Sequence, residues 1–288
     1  MSEKIICGAA LDVLKTLESE SVDSCITSPP YWNLRDYGVE GQLGLEPHFE
    51  EYIKKLEAIF DEVKRVLKKK GTCWINLGDT YSGNKEGKTD KKVSQYLKDT
   101  TTRLHKKAII QEKCLCQIPS RFAIAMTDRE WILRNRIIWH KPNAMPSSVE
   151  DRFTVDYEDV FFFVKNKKYY FEQQYKRGQG GVASRGDDAD GLVVGGTNPE
   201  GRNRRTVWSI STKPYTDAHF ATFPETLIEP MILAGCPKGG TVLDPFSGAA
   251  TTGLVAKKFG RNYIGIEINP EYVAMSEKRL TSIPSPLF

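Results

Sequence analysis

No stretch of about 18 consecutive apolar residues occurs in the chain, so no segment reads as a membrane span. The first residues, Met1-Ser2-Glu3-Lys4, lack the charged start, long apolar stretch and small-residue cleavage site of a signal peptide. The cytoplasm is therefore the expected compartment, and disulfides are not expected there. Cysteines number only six, at positions 7, 25, 73, 114, 116 and 236. One close pair exists, Cys114-Leu115-Cys116, with His105 upstream, whereas a zinc site usually needs CxxC pairs at two places. Buried thiols are the expectation, above all for Cys7, Cys25 and Cys73, which sit in apolar runs, and no metal is expected. Charge of one sign is also scarce: 41 Lys+Arg against 37 Asp+Glu leave a net of +4, which excludes a histone-like polycation. Neither a Walker A string nor GxGxxG is present, so a phosphate cradle is not the expected site.

What is there is a globular composition, 40% apolar and 27% charged, over 288 residues. A chain this long buries roughly three quarters of its unfolded surface. Short apolar runs alternate with stretches of helical period. Strands are expected near 5–7, 22–27, 72–77, 132–139, 159–164, 241–243 and 263–268. Helices are expected at 11–17, 49–67, 119–128, 223–234, 251–259 and 270–280. The helix over 49–67 should stop at Lys68-Lys69-Lys70-Gly71, with lysines on the C-terminal dipole and Gly71 at C′. Pro270 suits the first position of its helix. Such alternation predicts an α/β fold, a mostly parallel sheet with helices on both faces.

Two stretches break the rhythm. Residues 82–113 carry nine basic and four acidic residues, a local net of +5. Residues 176–206 are glycine-rich and dotted with arginines. Both are too long for ordinary connections and read as functional or disordered loops.

Two motifs carry chemistry. In the first, the run 242–253 is a strand, a tight turn and a helix start, with Asp244 at the strand's end and Gly248 in the turn. About twenty residues on, the strand 263–268 brings Glu267, a carboxylate placed to hold both hydroxyls of a ribose. A nucleoside with an amino-acid tail and no phosphate fits this pair, and S-adenosylmethionine has that shape. An ordinary βαβ turn with a capping Asp is the competing reading.

In the second motif, the apolar strand 22–27 ends in Ser28-Pro29-Pro30-Tyr31-Trp32. Two prolines fix φ and remove two donors, and Ser28 before them is pushed to an extended conformation. The Ser28 hydroxyl and the Ser28 and Pro29 carbonyls can then converge as acceptors beside an aromatic ring. Such acceptors suit an exocyclic amino group, whose lone pair is otherwise delocalised into its base. Attack on a sulfonium methyl is then a direct in-line displacement, driven largely by proximity.

On these motifs the chain resembles the beta-class (beta-order) amino-methylating DNA methyltransferases, in which the Ser/Asp-Pro-Pro-Tyr motif precedes the cofactor motif. The likeness extends to 132–146 and to His219-Phe220-Ala221-Thr222-Phe223-Pro224. It implies a Rossmann-like, seven-stranded S-adenosylmethionine-dependent methyltransferase fold in a single domain, 1–288. Within it, 1–81 and 114–171 would form the catalytic half and 82–113 a basic insert. Residues 172–210 would be the candidate target-recognition segment and 219–288 the cofactor-binding half.

The resemblance further implies that Ser28, Pro29, Pro30 and Tyr31 hold a flipped base. Asp244, Phe246, Ser247 and Gly248 would hold the methionine part of the cofactor, Glu267 the ribose and Ile268 the adenine. Phe223 and Thr222 would line the methionine pocket. Members with Ser at the first motif position mostly methylate cytosine N4 and those with Asp mostly adenine N6, so Ser28 implies cytosine. Adenine N6 is the alternative, and a non-catalytic DNA-binding relative a third reading. Position 9 departs from the family, since Ala9 stands where an Asp often holds the cofactor adenine.

Duplex DNA is the implied partner. Phosphate and base-edge contacts are expected from Lys91, Lys92, Arg103, Lys106 and Lys107, and from Arg185, Arg202, Arg204 and Arg205. The family allows a companion restriction endonuclease, a homodimer and a prokaryotic or phage origin; no residue pattern decides these.

Overall fold

The structure, a computed structural model, describes residues 2–83, 110–176, 202–212 and 223–282. Among the described residues, no helix is long and apolar enough to cross a membrane, and no group of His, Cys, Asp or Glu could hold a metal ion.

The chain enters through β1 (Glu3–Cys7), α1 (Ala10–Thr16) and β2 (Val22–Thr27). Next come α2 (Phe49–Val66), β3 (Leu67–Leu77), α3 (Ile118–Asp128), β4 (Ile132–His140) and β5 (Tyr157–Val164). Two-residue strands β6 (Tyr175–Lys176) and β7 (Arg202–Asn203) pair with each other, and β8 (Val207–Ser209) follows. The last part is α4 (Glu225–Gly235), β9 (Thr241–Asp244), α5 (Thr251–Lys258), β10 (Asn262–Glu267) and α6 (Pro270–Thr281).

The main sheet runs β1-β10-β9-β2-β3-β5-β4-β8. Among the described residues it has eight strands rather than the expected seven, because β8 adds alongside the outer strand β4. All neighbours are parallel except β5, which is antiparallel to both β3 and β4. The direction of travel reverses between β2 and β9: the chain steps from β2 to β3 on one side and from β9 to β10 on the other. In open α/β sheets such a switch point opens a crevice at the carboxyl ends of the strands.

Period-two alternation distributes the core. On β5, Phe161 and Phe163 join one buried cluster with Tyr52, Phe60 and Phe122, while Val160, Phe162 and Val164 join the other. There Phe162 stacks on Trp74 with ring centroids 4.0 Å apart. Both faces being covered explains why the strands read as continuous apolar runs. Burying each such side chain stabilises the fold by roughly 1.5–3 kcal/mol.

Two expectations need correction. The helix stops at Val66, and Lys68, Lys69 and Lys70 belong to β3. Leu67 is already extended, so the lysines do not cap the helix. Gly71 holds no left-handed turn; a Cβ there would sit 2.9 Å from Leu67 Cδ2, so close packing is its reason. Cys7 is exposed, since it ends a strand at the sheet's rim, and Cys114 is exposed too, whereas Cys25, Cys73, Cys116 and Cys236 are buried. Pro270 does open α6, behind an Asn269 side chain that accepts from the Glu271 N–H.

Candidate active site

At the switch point a cavity of about 600 Å³ opens beyond the ends of β1, β2, β9 and β10. That is within the roughly 300–1,000 Å³ of ligand pockets. Ser28 and Pro30 follow β2 into its wall; Phe246 and Gly248 follow β9; Glu267 ends β10 and Ile268 follows it. The two motifs, more than 200 residues apart in sequence, thus face one space.

Glu267 ends β10 with its carboxylate held by backbone: Oε2 accepts from Gly248 N at 2.8 Å and Oε1 from Asn269 N at 2.9 Å. A carboxylate has about four lone-pair sites, so it can still accept from two hydroxyls. Burial pushes its pKa up, against the pull of those N–H groups.

Asp244 is placed differently from the sequence expectation. It does not line the cavity and is buried beneath the turn. Its Oδ1 accepts from the Thr27 hydroxyl at 2.6 Å and from Phe246 N at 3.1 Å, and its Oδ2 from the Thr252 hydroxyl at 2.7 Å. The carboxylate thereby ties β9 to β2 and to α5. Burial pushes its pKa up to about 6, with the three donors pulling the other way.

A carboxyl whose folded pKa is raised favours folding fully only below its unfolded pKa, and that contribution is lost as pH rises through about 6. Asp244→Asn removes the titration. Between pH 4 and 8, wild type is expected to lose about 2 kcal/mol relative to the variant. Urea denaturation of both proteins across that range measures it; a pH-independent difference would show that the carboxyl titrates normally.

Ser247 is turned away from the cavity as well, its hydroxyl sharing a 2.8 Å hydrogen bond with Tyr263 OH in the core. Phe223 is half-buried against the second core cluster and is not in the cavity wall. Thr222, Lys91, Lys92, Arg103, Lys106, Lys107 and Arg185 lie outside the described residues, and only the backbone of Arg202 is described. Arg204 is anchored by its N–H on Gln174 O, and its guanidinium lies 4.5 Å over the Trp208 ring. Trp208 in turn donates to Arg205 O. The segment after 172 is therefore not all loop: β6, β7 and β8 fix its two ends.

The Ser28–Tyr31 turn is held from behind. Pro29 is buried, and the Pro30 carbonyl accepts from Tyr52 OH at 2.7 Å. Tyr31 does not present its hydroxyl to the cavity; that group lies among Ser28, Asn76 and Glu158. A Cβ on Gly78 would come 2.5 Å from the Tyr31 ring, so only glycine lets the ring lie there. Burial and the Glu158 charge hold the Tyr31 phenol far above its ordinary pKa, hence protonated.

Trp32 donates to Glu46 O at 2.8 Å and meets Phe49 edge-on, which folds 33–48 back over the cavity. Gly44 there has φ +96°, and a Cβ would strike Tyr31 O at 2.8 Å. This loop brings Tyr37 and Gln42 to the wall, and α1 brings Asp12, three residues past Ala9. Sequence reasoning missed all three. Asp12, in the first turn of a helix after β1, had a usable signal; the loop residues had none.

Over residues 22–278 the sequence matches the N6/N4 family, described as DNA methylase. The chain belongs to this family. The methylase is 46% identical over 275 residues to the type II methyltransferase M.XycI of Xanthomonas campestris pv. cyanopsidis, covering 95% of this chain and 86% of that one. With M.Cfr9I of Citrobacter freundii it shares 43% over 273 residues, with the same coverage. Among solved structures, PvuII DNA methyltransferase (cytosine-N4-specific) superposes with a TM-score of 0.69 at 21% identity, over 100% of the methylase and 89% of that chain. The M1.HpyAVI–SAM complex gives 0.58 at 20%, over 97% and 100%. These likenesses establish a methyltransferase-type α/β fold for the methylase.

Proposed function

We propose that the protein is a site-specific DNA methyltransferase that moves a methyl group from S-adenosylmethionine to the N4 amino group of a cytosine flipped out of duplex DNA. The observation that carries this reading is the shared cavity, in which Ser28 and Pro30 face the same space as Phe246, Gly248, Glu267 and Ile268.

The residues fit the cofactor. Glu267 has lone pairs left for two ribose hydroxyls, and Ile268 and Phe246 offer apolar walls on either side. When bound, S-adenosylmethionine supplies an electrophilic sulfonium methyl. Ser28 accepts a hydrogen bond from the target amine, which favours sp³ character at nitrogen and frees its lone pair. Asp244 keeps the turn that carries Phe246 and Gly248 in register with β2. Serine rather than aspartate at position 28 supports cytosine as target, and the PvuII enzyme that shares the fold is itself cytosine-N4-specific.

The single-domain division given above, with its basic insert and target-recognition segment, belongs to this proposal. So do the DNA contacts of the named lysines and arginines, among which Arg204 and Arg205 are held at the sheet's edge near β4 and β8. A companion restriction endonuclease accords with the type II relatives, and a prokaryotic cytoplasm accords with their bacterial sources. A homodimer is the remaining element, decided by the mass of the protein in solution.

The test is nucleoside mass spectrometry of DNA from cells expressing the protein, paired with methylation-sensitive sequencing. N4-methylcytosine in one sequence motif is expected. N6-methyladenine alone would overturn the target base, and DNA binding without any methyl transfer would favour a non-catalytic relative.

A further inference from the structure

Behind the cavity lies a group of polar side chains of which the motifs named only Ser28 and Tyr31. Tyr31 OH is 2.7 Å from Glu158 Oε2, 3.1 Å from Asn76 Oδ1 and 3.4 Å from Ser28 Oγ. The Asn76 amide orientation is fixed, because its Nδ2 donates to Glu158 Oε2 and to Asp159 O, both at 3.1 Å. The other Glu158 oxygen pairs with Lys141 Nζ, which lies 4.6 Å over the Trp139 ring.

The reversed strand explains how these residues meet. Because β5 runs against β3, its second residue, Glu158, comes to the same sheet edge as the carboxyl ends of β2 and β3. Lys141 arrives at that edge directly after β4.

We infer that Glu158, supported by Asn76, is a positioning residue that sets the polarity of this chain, so that Ser28 turns a lone pair and not a proton toward the substrate amine. The inference rests on the proposed role of Ser28. A phenol has one proton. Set between a carboxylate and an amide oxygen, Tyr31 gives that proton to them and can only accept from Ser28. The single Ser28 proton is then spent inward, and its lone pairs face the cavity that it lines. The raised pKa of Tyr31 agrees, since the phenol stays a donor. An acceptor at this point welcomes an amino group and repels a carbonyl oxygen, so the chain separates cytosine from uracil, its deamination product.

The experiment measures binding of the full chain, with S-adenosylhomocysteine present, to two duplexes bearing the recognition motif. They differ only in cytosine or uracil at the target, each opposite an abasic site so that base pairing contributes equally. Wild type is expected to prefer cytosine by at least about tenfold. Glu158→Leu leaves Asn76 as the only acceptor and should show an intermediate ratio. In the double variant E158L/N76L, Tyr31 can donate only to Ser28, and the preference should vanish or reverse.

A ratio unchanged in the double variant, with wild-type melting temperature and S-adenosylhomocysteine affinity, would overturn the inference; so would a wild type without preference. Should the double variant fail to fold, Tyr31→Phe cuts the same chain and must relax the ratio. An enzyme that methylates adenine instead refutes the target base but not the polarity, which the same variants then report on adenine against hypoxanthine.

Discussion

Ser28→Ala is expected to lower the single-turnover rate of methyl transfer by about 10²–10³-fold, the usual loss when one preorganised polar group aimed at the reacting atoms is removed. The side chain is small, and its Oγ makes one inward hydrogen bond, to Tyr31, so little of the fold depends on it. The prolines that follow keep the turn in place, with Pro30 still held through Tyr52. Affinity for S-adenosylhomocysteine should therefore stay within about twofold, while the amine loses the acceptor that localises its lone pair. Rapid-quench assays with labelled cofactor, run beside calorimetry, separate the two quantities. A rate within tenfold of wild type would mean that backbone carbonyls alone activate the amine.

Glu267→Ala should act on the other side of the cavity and with the opposite signature. Its carboxylate holds Gly248 N and Asn269 N and faces the cavity. Losing two charge-assisted hydrogen bonds to the ribose, each worth about 1.5–3 kcal/mol, is expected to raise the cofactor Kd by at least about 10²-fold. Glu267→Gln, which keeps one acceptor oxygen, should fall between. At saturating cofactor kcat should approach that of wild type, since the lost contacts are the same in ground and transition states. Calorimetry with S-adenosylhomocysteine reads the first effect; a Kd within threefold of wild type would remove Glu267 from the site.

The strands and helices were legible because burial on both sheet faces leaves plain apolar runs, as in Phe161–Val164. The polar lysine run was misread because Lys68–Lys70 has helix-forming composition, and only tertiary contacts, Lys68 with Asp23 and Tyr170 N with Lys70 O, hold it extended where the β2–β3 register skips. The motifs marked Ser28 and Glu267 because both stand at strand ends. They did not show that Asp244 and Ser247, at equally suggestive positions, point away from the cavity, since which way a turn residue faces is set by tertiary partners such as Thr27 and Tyr263. Glu158 was invisible for a different reason: nothing local in a run of β-branched and aromatic residues reveals that β5 is reversed, and only the reversal brings its start to the active edge.

The pairing of β1 with β10 also bears on how the protein is made. Ser2 N donates to Asn262 Oδ1, and Gly8 N to Glu267 O, so an early-synthesised strand finds its partner some 260 positions later. Contacts of such separation form slowly and late. Gly8 and Glu267 both belong to the cavity wall. A nascent or truncated chain can thus carry Ser28–Tyr31 in full and still have no closed pocket beside it, so that chemical competence is withheld until synthesis has passed Glu267.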